Sequence, residues 1–165
     1  MENNNIQKLL KMTFKAERKY FEAGERVQIV DFSRFLHYQS TKRNHFCNKL
    51  IEAFVENEIE PDMTYINKGR NKISGLEIKR ILEDRKYTSQ VKKCLKYDLK
   101  LINACNEALK DTTLPVDVLE IITKEMTYLT LAQLEGKKVL KNYKENKPEL
   151  TSKIIPLQQR KIINL

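Results

Sequence analysis

The chain has 165 residues, of which 31 are Lys or Arg and 22 are Asp or Glu, so its formal net charge is +9. A single domain with an appendage is typical of this length, and 41% hydrophobic residues can form a core without metal or disulfide support. Only four Gly and four Pro are present, which excludes a fold of many short strands because such folds need a turn every 8–12 residues or so. We therefore expect an all-α fold.

The cysteines and the absence of long apolar runs indicate the compartment. Cys47, Cys94 and Cys105 are an odd number without a Cys-x-x-Cys pair, which argues against a disulfide framework and a thiolate zinc site. We expect them to be small core residues. The first residues resemble no secretion signal, and no run approaches the roughly 18 apolar residues of a membrane span. The sequence predicts a cytoplasmic protein that does not enter a membrane.

The first half of the chain is predicted to form two long helices. Apolar residues recur at three- and four-residue spacing from Asn4 to about Gly24, which is the expected stop. Asp31 is the expected N-cap of the second helix, whose apolar stripe runs from Phe32 to about Asn57. The pattern then lapses. Residues 59–74 are therefore predicted to be an irregular connection, followed by a short helix over 75–85.

The second half is predicted to form two more long helices. The third is expected from Thr88 or Ser89 to about Asp111, and the fourth from Val118 to about Asn146. Two helical hairpins joined by one long connection are a standard way to build an antiparallel four-helix bundle.

Residues beyond the fourth helix are predicted to form a separate C-terminal tail. After Pro148 the chain alternates basic residues with apolar pairs, and Pro156 is incompatible with a continuous helix. We therefore divide the chain into a bundle domain, 1–146, and a basic and apolar tail, 147–165. Such a tail can dock on a neighbouring copy and form a homo-oligomer.

Helical periodicity places five polar residues on or beside the inward faces: Glu17, Gln39, Arg43, Asp98 and Glu125. One interpretation is a di-metal carboxylate site, either intact or degraded to a single metal, because bundles of this kind gather Glu and Glu-x-x-His motifs at their centre. The other is a structural cluster in which Arg43 takes the place of the metal cations. The two histidines, His37 and His45, are expected to be ordinary surface or boundary residues.

Three segments carry a resemblance to a known family: 35–50, 97–109 and 114–119. They resemble a bacterial domain-of-unknown-function branch of the ferritin-like superfamily, over about residues 4–146. The resemblance implies an antiparallel bundle with a helical insertion between its hairpins, and an interior acid at Asp98. Where metal-binding members have Glu-x-x-His, this chain has Gln39-x-x-Lys42 and Glu125-x-x-Tyr128, which argues against iron oxidation or storage.

The positive charge is concentrated between the two hairpins. Residues 59–96 contain ten basic and five acidic residues. The ten are Lys68, Arg70, Lys72, Lys79, Arg80, Arg85, Lys86, Lys92, Lys93 and Lys96. Such a patch is typical of proteins that contact phosphate backbones, and Tyr65 and Tyr87 beside it can stack on bases. A merely solvated, Lys-rich surface is the alternative.

The leading hypothesis is a non-catalytic bundle that acts as a basic interaction module, without a catalytic residue or cofactor. Its partner is expected to be RNA or a ribosome, or otherwise an acidic protein. The alternative is a diverged di-metal protein, iron-binding or an oxidase, with Glu17, Asp98 and Glu125 as the metal ligands.

Overall fold

The computed structural model describes residues 4–70 and 87–152. These residues form helices and no strand, so the all-α prediction is confirmed. The helices are α1 (Asn4–Arg26), α2 (Val30–Glu56), α3 (Thr64–Arg70), α4 (Tyr87–Leu109) and α5 (Val116–Ser152). No helix in the described ranges is long and apolar enough to cross a membrane.

The four long helices lie side by side, with α1 and α5 each packed against both α2 and α4. Each is antiparallel to the two helices beside it. At one end of the α2–α5 pair, Asn57 donates a hydrogen bond to Asp117 (2.8 Å), and further along Gln39 donates to Glu135 (3.3 Å). Helices α2 and α4 therefore run in the same direction, and α4 begins at the end of the molecule opposite to the end of α2.

Two apolar clusters form the core. The larger joins the first half of α1 to the second halves of α2 and α4 and to the first half of α5, with Leu10, Leu50 and Leu101 fully buried. The smaller is centred on Tyr20, Phe32 and Val91 at the other end. Each buried side chain of this size contributes about 1.5–3 kcal/mol. All three cysteines are buried, as expected, and none of them forms a disulfide; burial raises the pKa of Cys94 and of Cys105 to about 12.

The predicted boundary between the first two helices is wrong in detail. Helix α1 continues two residues past Gly24. A Cβ atom at Gly24 would lie 2.9 Å from the imidazole of His37, so this glycine permits α1 and α2 to approach closely. Asp31 is not the N-cap of α2: the cap is Ile29, without a side-chain hydrogen bond. Asp31 lies in the first turn, where its charge is favourable near the helix N-terminus.

The connection after α2 was predicted to be irregular up to residue 74, but it contains α3. The carboxylate of Asp62 accepts a hydrogen bond from the first amide of this helix, Thr64 N (3.1 Å). Ile66 is fully buried, and the Tyr65 ring meets the Phe14 ring edge-on at 5.9 Å. Packing on α1 thus stabilises a helix too short to be stable alone. The short helix predicted over 75–85 lies outside the described residues.

The last two helices also differ from prediction at their ends. Helix α4 begins at Tyr87, just before the predicted Thr88 or Ser89. Helix α5 continues six residues past Asn146, through Pro148, to Ser152. A proline removes one helical hydrogen bond, which is a local cost that need not end a helix. The rest of the predicted tail lies outside the described residues.

Candidate functional site

The centre of the molecule holds a buried ion pair. Arg43 of α2 and Asp98 of α4 are both fully buried. The guanidinium donates from Nη2 to Asp98 Oδ2 (2.7 Å) and from Nε to Asp98 Oδ1 (3.3 Å). Two parallel hydrogen bonds of this kind fix geometry as well as charge. The pair therefore locks α2 to α4 across the middle of the molecule.

Tyr20 of α1 completes the coordination of Asp98. Its hydroxyl donates to Asp98 Oδ2 (2.6 Å), and the Arg43 guanidinium lies 5.3 Å from the centre of its ring. Burial, and then the negative charge of Asp98, raise the pKa of Tyr20 far above its ordinary value, so the phenol stays protonated. The apolar pattern of α1 predicted Tyr20 as a simple core residue. The sequence of α1 alone does not indicate that the Tyr20 hydroxyl donates a hydrogen bond to Asp98 of another helix.

Gln39 extends the network towards the surface. Arg43 Nη1 donates to Gln39 Oε1 (3.2 Å), and Gln39 Nε2 donates to Glu135 Oε2 of α5 (3.3 Å). Glu135 also lines a cavity of about 790 Å³, which is walled by Phe32, Tyr143 and other residues of α2 and α5.

Glu125 of α5 is the least tightly held member of the cluster. It is 6% exposed, and its Oε1 lies 3.7 Å from Arg43 Nη1. Within the described part of the chain, this oxygen has no hydrogen-bond partner. Burial raises the pKa of Glu125 to about 7, although the nearby positive charge of Arg43 opposes the shift. Burial thus moves the titration of Glu125 towards neutral pH.

Four of the five predicted interior residues therefore meet, and Glu17 lies apart. Glu17 is partly exposed, and its backbone oxygen accepts a hydrogen bond from the Ser40 hydroxyl (3.2 Å). Among the described contacts, none joins its carboxylate to the cluster. Tyr20, one turn further along α1, takes the inward position instead.

The cluster does not fit a metal ion. Both oxygens of Asp98 accept hydrogen bonds from Arg43, and the guanidinium lies between Asp98 and Glu125, where a cation shared by the two acids would have to bind. In the described residues, no group of three or more His, Cys, Asp or Glu side chains is arranged to hold a metal. His37 pairs with Glu25 on the surface (3.1 Å), and His45 is exposed.

The predicted basic patch is described only in part. Lys68 is exposed on α3, and Lys92, Lys93 and Lys96 are exposed on α4. Only the backbone of Arg70 is described. The remaining five lie outside the described residues: Lys72, Lys79, Arg80, Arg85 and Lys86. The hydroxyl of Tyr87, whose ring is predicted to stack on bases, donates a hydrogen bond to Gln28 Oε1 (3.4 Å).

Helix α1 adds cations that the charge count along the chain did not single out. Lys11 Nζ and Lys15 Nζ each lie 5.0 Å from the centre of the Tyr65 ring. Lys19 Nζ lies 5.1 Å from the Tyr97 ring, and the Lys19 and Lys93 side chains line the same small cavity. The four-residue spacing of these α1 lysines is the sequence signal that could have found them. We call the combined surface the basic face: Lys11, Lys15, Lys19, Tyr65, Lys93 and Tyr97.

Comparison with known proteins adds no relative: no family model, no curated protein and no solved structure matches the chain.

Proposed function

We propose that the chain is a non-catalytic, ferritin-like four-helix bundle whose basic face binds the phosphate backbone of RNA, free or within a ribosome. The observation that carries this proposal is the row of three α1 lysines, each within about 5 Å of a tyrosine ring centre. The ferritin-like part rests on the packing of four long helices together with the sequence resemblance.

The spacing of the lysines suits a linear polyanion. Four residues of α-helix advance about 6 Å, so Lys11, Lys15 and Lys19 form a row about 12 Å long on one side of α1. Lys93 continues the positive charge onto α4. Ammonium groups in such a row displace the counterions of successive phosphates, which gives affinity without sequence readout.

The tyrosines extend the interaction from phosphates to bases. Tyr65 is 38% exposed, although its ring also packs against Phe14. The cation–π contacts hold the Lys11 and Lys15 ammonium groups beside the ring. When neighbouring phosphates draw these ammonium groups away from the ring, an unstacked base can lie against Tyr65, an arrangement typical of single-stranded RNA recognition.

The interior of the molecule supports a role without catalysis. Asp98, the interior acid that the family resemblance points to, is fully occupied by Arg43 and Tyr20. Cys94 and Cys105 are buried, and their raised pKa values keep the thiols protonated and poorly nucleophilic.

Charge reversal on α1 tests the proposal. We expect the triple variant Lys11→Glu, Lys15→Glu, Lys19→Glu to bind a single-stranded RNA at low salt at least about tenfold more weakly than the unchanged protein, measured by fluorescence anisotropy.

The matched control reverses three exposed lysines of α5: Lys137→Glu, Lys138→Glu and Lys144→Glu. Both variants have the same net charge, so a loss confined to the α1 variant assigns binding to the basic face. Equal losses in the two variants, or no RNA binding by the unchanged protein, would contradict the proposal.

A further inference from the structure

The cavity of about 790 Å³ between α2 and α5 is a groove that is open to solvent. Tyr38 in its lining is 52% exposed, and Ile29, Val139 and Tyr143 are only partly buried. Cavities of roughly 300–1,000 Å³ with apolar and aromatic linings are typical binding sites. We call this cavity the α2–α5 groove, and its apolar lining is Ile29, Phe32, Phe35, Tyr38, Val139 and Tyr143.

The α2–α5 groove carries negative charge although the protein as a whole is basic. Its charged lining residues are Asp31, Glu135 and Arg34. None of the ion pairs between described residues involves Asp31 or Glu135. The Glu135 carboxylate accepts a hydrogen bond from Gln39 (3.3 Å), which leaves its charge unpaired. Charge complementarity therefore favours an occupant that is apolar and also carries a cation.

Residues 153–165 of the chain have this chemistry. They include three cations and no acid, together with six Ile or Leu residues. Helix α5 borders the groove and ends at Ser152, nine residues and about 14 Å along the axis from Tyr143. Five residues of extended chain span about 17 Å, so Leu157 can return to the level of Tyr143. The other undescribed segment, 71–86, joins α3 to α4, and neither helix lines the groove.

The spacing of residues in this segment matches the spacing of residues along the groove. Alternate residues of an extended chain face the same side, so Ile155, Leu157 and Lys161 share one side. Lys161 lies four extended residues, about 13 Å, from Leu157. Glu135 lies eight helical residues, about 12 Å, from Tyr143. When Leu157 is placed against Tyr143, Lys161 therefore reaches the level of Glu135.

We propose that residues 153–165 return along the α2–α5 groove of their own chain, antiparallel to α5. Ile155 and Leu157 lie against the apolar lining, and the Lys161 ammonium group pairs with the Glu135 carboxylate. Removal of the two apolar side chains from water drives the docking, and the ion pair selects the register. RNA binding is a separate outcome, because the groove and the basic face share no residue.

Carbodiimide cross-linking of the unchanged protein tests this register. The reagent activates a carboxylate, and a neighbouring amine displaces the resulting urea to form an amide. Peptide mass spectrometry should find Lys161 joined to Glu135, with a yield that is the same after about tenfold dilution, since an intramolecular contact does not depend on protein concentration. Glu135→Gln should abolish this product because an amide is not activated.

Two results of this experiment would overturn the proposal. One is the absence of a product between Lys161 and Glu135. The other is a product that forms only between isotope-labelled and unlabelled copies, which would assign the groove to the segment of a second copy.

A fluorescent reporter tests the apolar contact. The chain contains no Trp, so Leu157→Trp gives a single indole. Its emission should lie at shorter wavelength than in the urea-unfolded protein, because the docked indole is removed from water. Adding Val139→Lys places a charge in the groove and should shift the emission to longer wavelength.

The matched control for the reporter is Leu134→Lys, which changes a 61% exposed residue of α5 outside the groove lining. It should leave the emission of Leu157→Trp unaltered. Circular dichroism checks that each variant keeps its helices. Equal emission from folded Val139→Lys and Leu134→Lys variants would overturn the proposal, and the cross-linking result on the unchanged protein decides the matter if a variant does not fold.

Discussion

At the scale of single residues, the interior polar cluster serves stability. Arg43, Asp98 and Tyr20 are buried on three helices and satisfy one another, so each fixes the position of the other two. Removing one partner of a buried ion pair leaves an uncompensated charge and typically costs about 3–5 kcal/mol. Replacing both partners by apolar residues removes that penalty.

The first prediction follows from this asymmetry. Asp98→Leu alone should lower the free energy of unfolding by about 3–5 kcal/mol, because it leaves Arg43 buried without its carboxylate. Adding Arg43→Met should recover most of the loss. Urea unfolding of the two single variants and the double variant measures the coupling. If the losses of unfolding free energy in the two single variants simply add in the double variant, Arg43 and Asp98 do not stabilise the protein as a pair.

Glu125 gives a prediction of pH dependence. Its pKa is about 7 in the folded protein against 4.5 ordinarily, so the folded state binds more protons than the unfolded state between those values. The contribution of Glu125 to the free energy of unfolding is therefore greatest below about pH 4.5. It is lost as the pH rises through 7, and the whole loss is about 3 kcal/mol.

Glu125→Gln is the control for this effect. It should flatten the stability profile between pH 5 and about 8, as measured by the urea midpoint at each pH, since the amide does not titrate. A variant that keeps the slope of the unchanged protein would show that another group titrates there.

At the scale of elements, helical periodicity predicted four long helices and their inward faces. Gln39, Arg43, Asp98 and Glu125 were found this way, because a 3.6-residue repeat fixes which side of a helix faces the core. Helix ends were harder to predict. They depend on contacts with other helices, such as that between Gly24 and His37, and those contacts are not encoded locally.

Gly136 is a second position at which a contact with another helix, which the local sequence does not encode, matters. It gives a third prediction. Its propensity cost in α5 is about 1 kcal/mol, but a Cβ atom there would lie 2.6 Å from Leu95 Cδ2 of α4. We expect Gly136→Ala to destabilise the protein by about 1–3 kcal/mol through overpacking, despite the better helix propensity of alanine.

A double-mutant cycle separates the clash from other causes. Leu95→Ala shortens the side chain that the new methyl group would strike, so Gly136→Ala should be harmless or stabilising in that background. Equal losses of thermal stability from Gly136→Ala in both backgrounds would show that the α4–α5 contact is not the cause.

At the scale of the whole molecule, the basic surface of the folded protein combines lysines from different segments of the chain. Counting along the chain singled out residues 59–96, and only four of those ten cations have described side chains. Folding sets the lysines of α1 beside Tyr65 of α3 and Lys93 of α4. This juxtaposition is a property of the packing, which no count of residues by segment could predict.

The salt dependence of RNA binding tests the central claim most directly. For single-stranded RNA, each phosphate contact contributes about 0.7 to the slope of log affinity against log salt concentration. The variant with Lys11, Lys15 and Lys19 changed to Glu should therefore show a slope smaller by about 2, while the α5 control keeps the slope of the unchanged protein. An unchanged slope in the α1 variant would contradict binding through the basic face.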